Sequence, residues 1–263
     1  MPVDRWVGAA EYEAYIGRWS RPVGAAFLDW LSIAPGRRWV DVGCGTGALS
    51  GTILERANPA SFVGVDPSAD FVDLARTQNV DPRARFAVAS ADDLALDPAS
   101  ADVIVSGLVL NFIPDLAAAL DEMRRVGVPG ATLAGYVWDL AGRMDIIRTF
   151  WDAAIALDPA VTEKDEGARF PLCAPEPLRH AFKGAGLTDV EVRSIDVPTV
   201  FRDFDDYWTP FLGRVGPAPA YLGGLDDASR AALRERLRAT LPTQSDGTIQ
   251  LIARAWAVRG RNP

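Results

Sequence analysis

Residues 40–47 read Val40-Asp41-Val42-Gly43-Cys44-Gly45-Thr46-Gly47, a short apolar run that stops at a series of glycines. A stretch with helical spacing, residues 48–57, follows, so the segment predicts a strand, a loop and a helix. Glycines at every second position let the backbone turn sharply and approach a ligand that a Cβ atom would exclude. We therefore predict the first strand-loop-helix unit of an α/β fold, with a ligand at its loop.

The same alternation of apolar runs and helical stretches continues along the chain. Runs typical of strands, counted with the first, lie at residues 38–42, 61–65, 85–89, 101–105, 131–137, 190–197 and 248–258. Helical spacing between the earlier runs lies at residues 68–77 and 114–126. Strands that alternate with helices indicate right-handed βαβ units. The sequence therefore predicts an α/β fold with a doubly wound, mostly parallel, seven-stranded sheet.

Segments outside these units define the predicted domain organisation. We expect an N-terminal helical cap segment at 1–32, an α/β core at 33–139, cap or substrate insertions at 140–174 and 199–247, and a C-terminal helix and strands that complete the sheet at 175–198 and 248–263. The segments outside the core should pack together over one edge of the sheet as a helical cap.

Asp66 ends the second predicted strand, close to the spacing of about 20 residues at which an acid can accept hydrogen bonds from a ribose. The glycine loop lies where open parallel sheets bind ligands, outside the carboxyl ends of the strands. Together they predict an adenosine-type ligand. Spacing alone leaves a dinucleotide open, because Gly43, Gly45 and Ala48 also satisfy the G-x-G-x-x-G/A pattern.

Four motifs in order carry a resemblance to a known family. Residues 40–47 resemble the first motif of class I S-adenosylmethionine-dependent methyltransferases, and the others are Val63-Gly64-Val65-Asp66-Pro67-Ser68, Ala89-Ser90-Ala91-Asp92-Asp93-Leu94 and Ala101-Asp102-Val103-Ile104-Val105-Ser106. The chain is most similar to the small-molecule methyltransferases of ubiquinone and menaquinone biosynthesis. The resemblance implies a Rossmann-like methyltransferase fold and S-adenosyl-L-methionine as the cofactor.

The resemblance also implies roles for single residues. Gly43, Gly45 and Gly47 would wrap the methionine part of the cofactor, Asp41 would help to hold its ammonium group, and Asp66 would bind the ribose. Ala91 and Asp92 would border the adenine, and Ser106 would lie beside the sulfonium. The other residues placed at the cofactor by their motifs are Cys44, through its backbone, Pro67 and Ser68. Ser90 departs from the pattern, because the family often has Asp there, and Asp92 is the candidate replacement.

An aromatic stripe precedes the first strand. Tyr12, Tyr15, Ile16 and Trp19 share one helix face. One interpretation is that this face simply packs on the core or the cap. The other is that Tyr15, Arg18 and Trp19 close over the cofactor, with the Arg18 guanidinium paired with the methionine carboxylate. A second stripe lies at Phe204, Tyr207, Trp208 and Phe211. Aromatic stripes are usually packing, but their concentration in the predicted cap favours an apolar or aromatic acceptor.

Methyl transfer from a sulfonium requires alignment and exclusion of water more than acid–base groups. The chain has one histidine, His180, which falls on the polar face of a short helix and is predicted to lie at the surface. A base, if used, would be Asp139, another carboxylate or a tyrosine, so no catalytic residue is assigned. One histidine and two distant cysteines predict no metal site.

Composition limits the partners. The net charge of −8 argues against a nucleic-acid surface, which needs clustered Lys and Arg. The cysteines at 44 and 173 do not suggest a disulfide framework, and we expect no leader, no membrane span and a cytoplasmic location. The partner is a small-molecule acceptor, and the oligomeric state is unknown.

The sequence thus predicts in-line methyl transfer from S-adenosylmethionine to a small, apolar or aromatic molecule. One alternative is a nicotinamide-dependent oxidoreductase that uses the same loop. It is weakened because no tyrosine is followed four residues later by lysine, a common proton-donor pair in such enzymes. The other alternative is a non-catalytic protein that binds S-adenosylmethionine.

Overall fold

A computed structural model describes residues 15–213 and 216–263 of the chain. The strands are β1 Arg38–Val42, β2 Ser61–Asp66, β3 Ala84–Val88, β4 Ala101–Gly107, β5 Gly127–Trp138, β6 Thr188–Phe201 and β7 Ile249–Arg261. The helices are α1 Ser20–Leu31, α2 Ala48–Arg56, α3 Ala69–Gln78, α4 Leu116–Val126, α5 Asp145–Leu157, α6 Glu166–Arg169, α7 Pro175–Gly184, α8 Phe204–Trp208, α9 Pro217–Gly223 and α10 Asp227–Thr240. Short 3₁₀ turns lie at Gly17–Trp19, Leu110–Phe112, Pro159–Lys164 and Thr209–Leu212.

The strands form one seven-stranded sheet in the order β3-β2-β1-β4-β5-β7-β6. The pairs from β3 to β5 are parallel. Strand β7 is antiparallel to β5, because Gly130 near the start of β5 donates its N–H to Asn262, whereas Asp139, directly after the end of β5, donates to Arg254. The prediction of a doubly wound, mostly parallel, seven-stranded sheet is therefore confirmed.

The chain divides into two compact units. The core unit comprises Ser20–Val137, Leu172–Ile195 and Ala255–Pro263. Of the described residues, the aromatic unit comprises 15–19, 138–171, 196–213 and 216–254. Strands β5, β6 and β7 have residues in both units. The predicted insertions 140–174 and 199–247 fall largely in the aromatic unit, but their role as a cap stays a prediction.

Helix α1 lies within the N-terminal cap segment that the sequence predicts over residues 1–32. It belongs to the core unit, and the cap role of the segment stays a prediction. Its apolar face is buried, and the Phe27 ring lies 4.7 Å from the ring of Tyr136 on β5. This face explains why the helix joins the sheet unit. Of the first aromatic stripe, Tyr12 lies outside the described residues.

The aromatic unit has a core of its own. Phe150 of α5 stacks on Phe211 at 4.6 Å between ring centroids. Tyr207 of α8 is fully buried, donates a hydrogen bond to the carbonyl of Ile146 and lies 2.9 Å from the Thr149 hydroxyl. The second stripe, Phe204, Tyr207, Trp208 and Phe211, is thus packed inside this unit, as its helical spacing most simply suggests.

Candidate functional site

The candidate site lies in the core unit, where the order of the parallel strands reverses. Strands β1 and β4 are neighbours, but the chain leaves them in opposite directions across the sheet. In doubly wound folds, ligands bind outside the carboxyl ends of the strands at such a switch point. The loop after β1, the end of β2 and the end of β4 are therefore the segments to consider.

Backbone hydrogen bonds and glycines in the left-handed conformation fix the loop after β1. The N–H groups of Gly43 and Cys44 both donate to the carbonyl of Val65, at 2.8 and 2.9 Å. Gly43, Gly45 and Gly47 have φ angles of +73°, +53° and +91°, which L side chains rarely adopt. A Cβ at Gly43 would collide with Val109, whereas a Cβ at Gly45 would meet nothing within 4 Å. Gly45 therefore borders open space, as a loop that receives a ligand should.

Asp66 links β2 to this loop. Its carboxylate accepts the N–H of Gly45 at 3.0 Å and the N–H of Ser68 at 2.9 Å, one on each oxygen. Burial raises the pKa of Asp66, and the two backbone N–H groups oppose that shift. Each carboxylate oxygen can accept more than one hydrogen bond, so Asp66 retains acceptor capacity for a pair of ribose hydroxyls.

Asp41, at the end of β1, is sealed from solvent. It is 1% exposed, and one oxygen accepts the hydroxyl of Ser50 at 2.8 Å. Within the described residues the other oxygen has no hydrogen-bond partner. Burial is the main cause that raises the pKa of Asp41 to about 7, and the Asp66 carboxylate adds to it. Its predicted contact with the cofactor's ammonium group stays a prediction.

The other residues of the first two motifs have structural tasks. Burial raises the pKa of the Cys44 thiol, which keeps it protonated and suits the backbone-only role predicted for it. The Ser68 hydroxyl caps α3 by accepting the N–H of Phe71 at 3.4 Å. Pro67 is exposed between Asp66 and that cap.

The third and fourth motifs follow β3 and β4. Ala91 is half-buried, and the exposed Asp92 carboxylate accepts a hydrogen bond from the Ser90 hydroxyl. Ser90, which departs from the family pattern, therefore orients Asp92. Ser106, near the end of β4, is fully buried, and its hydroxyl bonds to no residue in the described part of the chain. The predicted contacts of Ala91, Asp92 and Ser106 with the cofactor stay predictions.

Tyr15 and Arg18 belong to the aromatic unit. Arg18 pairs with Asp206, with Nη1 3.2 Å from the carboxylate, and its guanidinium lies over the rings of Trp19 and Phe201. Tyr15 is buried beside Phe211, at 5.3 Å between ring centroids. Arg18 thus has a carboxylate partner in its own unit, which the sequence did not suggest. Its predicted contact with the methionine carboxylate stays a prediction.

The histidine, which is not a candidate base, and the candidate Asp139 differ in exposure. His180 is exposed on α7, as predicted from its position on the helix. Asp139 is 6% exposed and accepts the N–H of Arg143 at 3.0 Å, so it closes the turn after β5. Across residues 15–213 and 216–263, no three His, Cys, Asp or Glu side chains cluster closely enough to hold a metal ion.

Asn79 is a neighbour of the glycine loop that none of the four motifs includes. Its side-chain amide donates to the carbonyls of Ala75 and Gly47, at 3.0 and 3.4 Å. The one signal in the sequence is Gly51, a glycine inside a predicted helix, where glycine is unfavourable. Such a residue suggests close packing of another group.

Comparisons with known proteins agree with this geometry. Residues 40–135 match the methyltransferase domain family. An uncharacterized methyltransferase of Mycobacterium tuberculosis is 35% identical over 123 residues, which are 47% of each chain. The malonyl-[acyl-carrier protein] O-methyltransferase of Serratia marcescens is 31% identical over 180 residues, 68% of this chain and 66% of that protein.

A solved structure agrees over most of the chain. A candidate type II methyltransferase from Anaeromyxobacter dehalogenans is 25% identical, with a TM-score of 0.63 over 90% of this chain and 96% of that one. This chain spans 34% and 47% of the length of the first curated relatives that it matches.

No helix in the described residues is long and apolar enough to cross a membrane. On its motifs, fold and relatives, the chain belongs to the S-adenosylmethionine-dependent methyltransferase family.

Proposed function

We propose that this protein transfers the methyl group of S-adenosylmethionine to a small molecule by in-line displacement. One observation carries the proposal: at the switch point of the sheet, Gly45 borders open space and donates its N–H to Asp66. Accessible backbone and the acid that we propose for the ribose thus lie side by side, as an amino-acid-bearing nucleoside requires. The Mycobacterium and Serratia relatives are both methyltransferases by name, which supports the same proposal.

The residues of the core unit fit the cofactor. The loop at Gly43, Gly45 and Gly47 would hold its methionine part, and Asp66 would accept the ribose hydroxyls. When bound, S-adenosylmethionine supplies a methyl group on a positively charged sulfur. The chain must then align the acceptor and exclude water, and no acid–base residue is compulsory.

The acceptor that we propose is a small apolar or aromatic molecule. The support is the concentration of rings in the aromatic unit. Many of these rings pack on one another, as Phe150 does on Phe211, but Trp19 and Tyr221, which pack on Phe201 and Trp151, are only half-buried and keep part of their surface exposed. The name of the Serratia relative indicates a malonyl group on a carrier protein, so acidic acceptors belong in the same screen.

Location is also a proposal. The chain has two cysteines, Cys44 and Cys173, which are far apart in the sequence and both buried, and such sparse cysteine usage suits a reducing compartment. We propose the cytoplasm on that basis.

The first test is ligand binding. We expect S-adenosylhomocysteine to bind and to raise the melting temperature, because a ligand at 100 times its Kd stabilises the folded state by about 2.7 kcal/mol. NADH is the control, and we expect neither heat of binding nor a thermal shift with it. Binding of NADH without a response to S-adenosylhomocysteine would favour the oxidoreductase alternative and overturn the proposal.

A second test separates an enzyme from a binding protein. The protein is incubated with candidate metabolites and methyl-labelled cofactor, and products are read by mass spectrometry. Label in an acceptor, dependent on the protein, supports catalysis. Tight binding of S-adenosylhomocysteine with no labelled product across the screen would favour the non-catalytic alternative.

Asp66→Ala tests the ribose contact. Loss of hydrogen bonds to a charged acceptor should weaken S-adenosylhomocysteine binding by about 1 to 3 kcal/mol, roughly 5-fold to 150-fold. Calorimetry on the folded variant measures the change. Asp70→Ala is the matched control, because it removes an exposed carboxylate from the first turn of α3, close to Asp66 in the sequence, and no proposed cofactor contact. Equal affinity in wild type and Asp66→Ala would mean that the ribose is held elsewhere.

A further inference from the structure

Gly51 has no conformational reason to be a glycine. It lies within α2, and its φ is not in the left-handed region where glycine is favoured. Glycine is the least favourable residue in a helix interior after proline. The space around Gly51 supplies the reason: a Cβ there would lie 2.6 Å from Oδ1 of Asn79, closer than real Cβ contacts come.

The Asn79 side chain fills the space left by two glycines. A Cβ on Gly47 would lie 2.2 Å from Nδ2 of Asn79, so the amide occupies the position of both missing side chains. The same Nδ2 donates to the carbonyl of Gly47 and to that of Ala75 in the last turn of α3. Asn79 therefore joins the end of α3 to the start of α2, where the glycine loop ends.

Segment 65–79 thus holds the glycine loop at three points. The Val65 carbonyl accepts the N–H groups of Gly43 and Cys44 at the start of the loop, and the Asp66 carboxylate accepts that of Gly45 in its middle. Asn79 holds the end of the loop, at Gly47. The Asp66 carboxylate would bind both Gly45 and the ribose when the cofactor is present. The Asn79 amide, in contrast, has no proposed contact with the cofactor.

We infer that Asn79 is a positioning residue for the cofactor: its amide fixes Gly47 and the first turn of α2, so that the loop is preorganised for the methionine part. The inference rests on the proposed function for the identity of the ligand. Preorganisation raises affinity because less freedom is lost on binding. Gly51 is the partner that makes room for the amide.

A double-mutant cycle tests the inference by calorimetry with S-adenosylhomocysteine. We expect Asn79→Ala to weaken binding about threefold to tenfold, the effect of one net hydrogen bond. Gly51→Ala should weaken binding at least as much, since its methyl group displaces the amide. The double variant should resemble Asn79→Ala alone, because without the amide the new methyl group meets no obstacle. Additive losses, or an unchanged Kd in Asn79→Ala, would overturn the inference.

Gly184→Ala is the matched control. Gly184 also lies in a helix of the core unit, and a Cβ there would meet nothing within 4 Å. We expect its affinity to equal that of wild type. A residue that only stabilises the fold would lower the melting temperature and leave the Kd of the folded protein unchanged, so the Kd separates the two roles.

Hydrogen exchange of the ligand-free protein gives a second measurement. The N–H of Gly51 donates to the carbonyl of Gly47, which Asn79 also holds. We expect faster exchange at Gly47–Gly51 in Asn79→Ala than in wild type, and unchanged exchange there in Gly184→Ala. Equal exchange in wild type and Asn79→Ala would overturn the inference. A wild-type protein that does not bind S-adenosylhomocysteine would instead contradict the proposed function.

Discussion

Gly45→Asn should abolish detectable binding of S-adenosylhomocysteine while the protein stays folded. Asparagine tolerates the left-handed conformation better than other non-glycine residues, and the φ of Gly45 is +53°. An added Cβ meets no protein atom within 4 Å, so the cost in stability should be the backbone strain alone, at most about 1 to 2 kcal/mol. The side chain would occupy the space proposed for the methionine part. We expect affinity to fall by at least about 100-fold, or roughly 3 kcal/mol.

Gly36→Asn is the control for this variant. Gly36 precedes β1, at the opposite end of the strand from the glycine loop, and its φ is +76°. A Cβ added there would also meet no atom within 4 Å. The same substitution in the same conformation should leave affinity unchanged. Calorimetry and thermal melting on both variants are the measurements. A Gly45→Asn protein that binds as wild type does would show that the ligand lies away from this loop.

The first half of the fold could be predicted because its signals are local. A buried parallel strand is a short apolar run, and the residues predicted for β1, 38–42, are those at which it is found. Helix α2 differs from its prediction, 48–57, by one residue. In both cases a glycine loop marks the boundary, and glycine acts on the backbone nearby.

Strand β6 shows where the local pattern misleads. The predicted strand ends at Val197, but β6 continues to Phe201, with Thr199 and Phe201 buried on the same face as Val197. Pro198 lies between them and lacks the N–H that a central strand needs. It is exposed, and β6 is the edge of the sheet, where proline is tolerated.

The features that could not be predicted depend on contacts between residues far apart in the sequence. Phe27 packs on Tyr136 and Arg18 pairs with Asp206, and each pair is more than 100 positions apart. Neither partner leaves a pattern near the other in the sequence. The same holds for Asn79 at Gly47, so the glycine motif could be predicted but the residue that holds its last carbonyl could not.

Asp41→Asn should remove a pH dependence from the stability of the protein. The pKa of Asp41 is about 7 in the folded state, against about 4 in an unfolded chain. Between about pH 4 and pH 7 Asp41 is protonated in the folded state but ionised in the unfolded chain. The free energy of unfolding therefore falls as pH rises through this range, and Asp41 adds no further pH dependence at higher pH. Three pKa units correspond to about 4 kcal/mol, an upper estimate for a group this buried.

An asparagine at position 41 does not titrate and is similar in size to aspartate. The difference in the free energy of unfolding between Asp41→Asn and wild type should therefore rise by up to about 3 kcal/mol between pH 4.5 and pH 7.5, in favour of the variant. Urea denaturation at several pH values measures it, and taking the difference removes the effect of other titrating groups. Asp70→Asn is the control, since Asp70 is exposed on α3. A difference that does not change with pH would show that Asp41 is ionised throughout, and that the fold stabilises its charge despite burial.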